Sequence, residues 1–309
     1  MKLKLLSFVL IGLFAACPSV KAGPLSGVLV PGTQNQLEDE DREHVYDVNG
    51  NGIVDTGDVL VGYLRINDRS VPQPGVPLGN QVYAIFSQTI VTTVPGGFGV
   101  TGVVLAPTPS VSPHSLQSIL GVSTAVLPEG TIFAVYDKAG GFATDFLNNP
   151  QGPPIETNLQ AIASQGTLEV AGGFSATHPS DFFSAVITDN RATTIAGINT
   201  IPLNNLVGSD AGGLSILVNN TGFDFATAIN VQNPLTQTSD NYQLGASGKI
   251  SGAVGDAAYA KYGNPGFQTN TNFNVFPTTA AVPEPASFCL AITALVGLAG
   301  GNMLRRRKS

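Results

Sequence analysis

Tryptophan is absent, and the 309 residues hold only two cysteines, two methionines and three histidines. The cysteines, Cys17 and Cys289, lie near opposite ends, so the stretch between them has no disulfide and must be stabilised by packing, alone or with metal. His44, His114 and His178 are scattered and show no zinc-site spacing. Charged residues make up only 11% of the chain, without the clustered lysine and arginine that neutralise phosphates, which excludes nucleic acid as a partner. Gly245-Ala246-Ser247-Gly248-Lys249 fails as a nucleophile elbow at its last position. Gly208-Ser209-Asp210-Ala211-Gly212-Gly213 lacks the lysine of a phosphate loop and reads as a turn before a strand. Asp181 and Asp189 flank a strand and read as solvated strand ends. The expectation is a protein that is not an enzyme.

What is present begins at the two ends. Lys2 and Lys4 precede an apolar run, Leu5 to Ala16, of signal-peptide length. Val20-Lys21-Ala22 is a small-residue cleavage site that leaves Gly23 as the mature start; Phe14-Ala15-Ala16-Cys17 competes with it, resembling a lipoprotein box that would lipidate Cys17. At the other end Pro283-Glu284-Pro285 leads into 19 uncharged residues, Ala286 to Leu304, and then Arg305-Arg306-Arg307-Lys308. At about 1.5 Å per residue that run just spans a bilayer, and the basic stop stays on the cytoplasmic side. This order resembles the PEP-CTERM sorting signal of Gram-negative bacteria. The resemblance implies exosortase as a partner and inner-membrane anchoring before release to the cell surface or matrix.

All but one of the 21 acidic residues lie outside these end segments, which contain half of the 14 basic ones, so the part between carries about −13. That balance permits divalent cations. Its 12-residue stretch Asp47 to Asp58 places oxygen donors where an EF-hand-type loop needs them: Asp47, Asn49, Asn51, the Ile53 carbonyl, Asp55 and Asp58, with Gly52 at the turn. An aspartate in the last position makes the loop resemble a dockerin repeat. A weak, structural Ca²⁺ is expected, with a helix over Glu38 to Tyr46 before the loop and another from Val59 to Ile66 after it.

Strand-length runs of branched and aromatic residues follow at Gln81–Val91, Val100–Leu105, Thr131–Tyr136, Thr167–Val170, Phe182–Thr188, Leu214–Val218, Ala226–Val231, Gln243–Ile250 and Phe267–Phe276. Short helices are expected at Ser115–Leu120 and Thr157–Ser164, the latter capped by Thr157. The fold class is mainly β: a sandwich or irregular barrel, preceded by a small helical EF-hand-like segment and flanked by signal peptide and transmembrane helix. The division reads 1–22 signal peptide, 23–36 flexible leader, 37–69 EF-hand-like segment, 70–80 Pro-rich linker, 81–277 β-rich domain and 282–309 sorting tail. This layout resembles exported bacterial proteins of the PEP-CTERM type. The resemblance implies localisation and exosortase processing and brings no activity; the expectation is a non-catalytic surface or matrix protein associated with extracellular polysaccharide, with a secreted carbohydrate-active or other hydrolytic enzyme as the alternative.

Overall fold

A computed structural model describes residues 23–51, 55–71, 77–95, 100–147, 155–188, 194–195, 198–199, 207–252 and 266–279. The strands are β1 (Asn35–Tyr46), β2 (Val59–Val71), β3 (Val82–Pro95), β4 (Val100–Pro107), β5 (Thr131–Asp137), β6 (Thr167–Gly173), β7 (Phe182–Thr188), β8 (Thr194–Ile195), β9 (Ile198–Asn199), β10 (Val207–Asn219), β11 (Phe223–Phe225), β12 (Ile229–Gln232), β13 (Ser239–Tyr242), β14 (Leu244–Gly252), β15 (Gly266–Val275) and β16 (Pro277–Thr279). Among the described residues three short helices join them: α1 (Pro24–Val28), α2 (Leu116–Leu120) and α3 (Ile155–Gln165).

The strands close into an eight-stranded barrel, β1-β2-β3-β4-β7-β10-β14-β15, in which every neighbour is antiparallel. Two long strands serve two partners in turn. On β3, Val82–Phe86 pair with β5, and the chain beyond Ser87 pairs with β4. On β10, Val207–Gly213 pair with β7, and the chain beyond Leu214 pairs with β6. Because β5 also pairs with β6, the gap between β3 and β10 is bridged twice, by β4–β7 in one half and β5–β6 in the other. Closure leaves these strands few bare edges.

Alternation along each strand separates the inside of the barrel from its outside. One interior cluster gathers Leu37, Leu64, Phe86, Phe133, Val135, Leu244, Phe273 and Val275; another, at the β4–β7 half, gathers Val45, Ile90, Val103, Leu105, Ala185 and Ile187. Outside, Val61, Tyr63, Tyr83, Ile85 and Tyr136 are covered by Leu116 and Ile119 of α2 and Leu159 and Ile162 of α3.

Both spans expected as helices beside the Asp47–Asp58 loop are strands, β1 and β2, paired from Tyr46↔Val59 to Gln36↔Val71. Branched and aromatic side chains at Val59, Val61, Tyr63 and Ile66 favour a pleated, half-buried surface over a helix. Odd positions of β1 point inward, so Asp39 and Asp41 are 2% exposed and Glu43 8%, between the two interior clusters. The charge-dense stretch is therefore not a solvated helix, and none of these three acids lacks a partner. β2 pairs directly with β3, so residues 37–69 and those after the Pro-rich stretch share one sheet.

Three smaller corrections follow. The leader 23–36 contains α1, whose Leu25 and Val28, at i, i+3 spacing on one helical face, are buried in the barrel core together with Leu29, the extended residue that follows. Gly208–Gly213 belongs to β10, where a side chain at Gly213 would collide with the Tyr242 ring. Thr157 lies inside α3, whereas Ser115 does cap α2 by accepting from the Ser118 N–H. The nine expected strand runs all overlap observed strands.

Candidate functional site

The Asp47–Asp58 loop closes the β1–β2 hairpin, and its side chains bond to one another. Asp47 Oδ1 accepts the N–H groups of Gly50 at 2.6 Å and Asn51 at 3.1 Å. Asn49 and Asn51 both donate through Nδ2 to the Asp55 carboxylate, at 2.9 and 2.5 Å. Two amide N–H groups thus sit against one carboxylate, where a cation would otherwise be attracted. Turning either amide about its last bond would present an oxygen instead. The donor set of carboxylate and amide oxygens suits a hard cation such as Ca²⁺. Gly50 and Gly57, at φ of +71° and +106°, supply the left-handed turns.

Asp58 is fully buried, and its role differs from that of the other acids. Its Oδ1 accepts the Val48 N–H at 3.0 Å and its Oδ2 the Asp55 N–H at 2.9 Å. The carboxylate staples the neck of the loop. Burial raises its pKa above the ordinary range, against the two backbone donors, which lower it. Ile53 lies outside the described residues, as do Pro283, Glu284, Pro285, Arg305, Arg306 and Arg307 of the expected sorting signal, the expected signal peptide 1–22, and Asp189. Among the described residues no three His, Cys, Asp or Glu side chains converge as a metal cluster, and no helix is long and apolar enough to cross a membrane.

A second polar constellation lies between β6 and β7. His178 Nδ1 is 2.8 Å from Asp181 Oδ1, and Asp181 Oδ2 accepts the Ser175 N–H at 2.6 Å. The Tyr242 ring packs edge-on against His178, with centroids 5.2 Å apart, and its hydroxyl donates to the Ser180 carbonyl. Thr177, His178, Ser215, Thr227 and Gln243 line a pocket of about 190 Å³. Gln243 is fixed there by accepting from Ile216 N–H and donating to the Phe225 carbonyl. Asp181 is consequently a buried loop anchor and not a solvated strand end. Sequence reasoning missed its partner because the pairing depends on the turn Ser175–Asp181, which no short motif announces. Its backbone bonds run from His178 N–H to Ser175 and from Asp181 N–H to His178.

Comparison with known protein families, curated proteins and solved structures finds no match to this chain.

Proposed function

We propose that this is an exported, non-catalytic protein of the cell surface or extracellular matrix, held transiently in the inner membrane and released by exosortase among extracellular polysaccharide. The observation that carries the reading is the order of Pro283-Glu284-Pro285, the apolar run Ala286–Leu304 and the basic stop Arg305–Lys308, opposite an N-terminal leader. The last strand of the barrel, β15, ends at Val275, and the last described strand, β16, ends at Thr279, shortly before Pro283. The Asp47–Asp58 loop supports a weak structural Ca²⁺, with Asp47, Asn49, Asn51 and Asp55 turned toward one another and Asp58 holding the neck. A dissociation constant of about 10⁻⁴ to 10⁻³ M is expected for such an extracellular loop.

Intact-mass analysis of the protein from its native host tests the reading. The expected mass ends near Pro283–Ala286. Recovery of protein that keeps Arg305–Lys308 would leave a plain membrane anchor.

The second reading, a secreted hydrolase, draws on His178, which Asp181 holds, and Ser215, which line one pocket. Hydrolysis of ester or glycosidic test substrates that disappears in His178→Ala would favour it.

A further inference from the structure

Two carboxyl groups lie buried at the α1 end of the barrel, Asp137 at the end of β5 (3% exposed) and Glu169 on β6 (6% exposed). They meet because the β5–β6 ladder slips between Val135 and Tyr136: Val135 pairs with Val170, but Tyr136 pairs with Leu168. Glu169 is the extra residue of that bulge, a device that re-aims a side chain. Burial raises both groups, Glu169 to about 7; the charge of Asp137 and their shared hydrogen bond raise Glu169 further, and the same hydrogen bond lowers Asp137. No cationic side chain contributes to either among the described residues. Lys138, the next residue along the chain from Asp137, donates to Gln165.

The segment facing the pair is the start of the described chain. Asp137 Oδ2 accepts the Leu25 N–H at 3.0 Å. A Cβ built on Gly23 would lie 2.8 Å from Asp137 Cγ and Oδ1 and would overlap Oδ2. Two substituents of one Cα are about 2.5 Å apart, so the Gly23 nitrogen lies within about 5 Å of that carboxylate. Any other residue type at position 23 would strike it.

We propose that Asp137 and Glu169 are the seat of the chain's own α-ammonium group, created when the leader is cut between Ala22 and Gly23. The proposal rests on the export reading above. A leader peptidase adds one water across the Ala22–Gly23 bond. The hydroxyl goes to the Ala22 carbonyl carbon, and the Gly23 nitrogen, now a free amine, takes up the proton that the carboxyl pair gives up. An α-amine ordinarily titrates near 8, so two carboxylates beside it hold it charged through neutral pH. Cleavage thereby completes an ion pair that fastens α1 into the barrel. Before the cut, Glu169 must ionise without a partner as pH rises from its ordinary 4.5 toward 7, and over that window the fold is less stable.

The test uses full-length protein secreted by its host. Mass analysis of the N-terminal peptide identifies the first residue, and an amine-reactive reagent measures the labelling rate of its α-amine at pH 7.5. The expected first residue is Gly23, labelling at least tenfold more slowly in the folded protein than in guanidinium, with Glu169→Gln recovering part of the rate. Selective Nα-acetylation should lower Tm at pH 7 and leave it unchanged at pH 3, where both carboxyls are protonated. Labelling of Gly23 at the unfolded rate overturns the inference while the export reading stands. A mature chain that begins at a lipidated Cys17, or keeps its leader, overturns the cleavage site and the inference with it.

Discussion

The imidazole of His114 lies flat on the ring of Tyr46, with centroids 3.9 Å apart and planes 20° from parallel. His44 meets the same ring edge-on at 4.4 Å. Burial holds both histidines below their ordinary value; His44 is also raised by Glu156 and lowered by His114. The unfolded chain therefore binds protons that the folded chain refuses. This contribution to stability is complete above pH 6.5 and is lost as pH falls below it. Thermal unfolding between pH 7.5 and 5 should show it, and His114→Phe, which keeps a ring there, should flatten the slope. Equal slopes in the two proteins would contradict the assignment.

Asp58 and Asp55 should separate structure from ion binding. Replacing Asp58 by Ala leaves the Val48 and Asp55 N–H groups without their acceptor. The cost should be about 1–3 kcal/mol in chelator and in Ca²⁺ alike. Asp55→Ala removes a carboxylate that accepts from the exposed side-chain amides of Asn49 and Asn51. It should change stability in chelator little and abolish the heat of Ca²⁺ binding. Calorimetry on both variants checks the distinction.

Leu25 anchors α1 in the main core at 3% exposure. Leu25→Ala should cost about 2–5 kcal/mol in urea unfolding, the range for a buried leucine. A flexible leader would give almost nothing.

A fragment of residues 80–277 should fail to fold. It lacks β1 and β2, which pair with β15 and β3, and so leaves both those edges open. Size-exclusion chromatography should show aggregate or an expanded chain; a compact monomer would mean that the remaining strands close without them.

The nine strand runs after Gln81 were legible because local composition and burial agree there: branched and aromatic runs bounded by Gly, Pro and Asn overlap core strands, whereas polar or short strands such as β13 (Ser239–Tyr242) carry no such signal. β1 and β2 were hidden by the loop between them. The spacing of Asp47, Asn49, Asn51, Asp55 and Asp58 brings helices to mind, although Val59, Val61 and Tyr63 carry strand chemistry. The inward acids Asp39, Asp41 and Glu43 run against the usual exposure of charge, and only the period-two bracket of Leu37 and Val45 signals them. The pairing of Glu169 with Asp137 depends on a register slip between two strands, which leaves no mark in either strand's own sequence.

The seam between β1 and β15 joins Leu37 to Phe273, residues from nearly opposite ends of the chain. A polypeptide emerging N-terminus first, from a ribosome or through a membrane channel, presents β1 early and must wait for β15 before that edge is covered. Contacts of such long sequence separation make folding slow and keep the intermediate open to misassociation. The wait suits transport in an extended state. The barrel can shut only once residue 275 has cleared the exit, a few residues before the Pro-Glu-Pro signal begins.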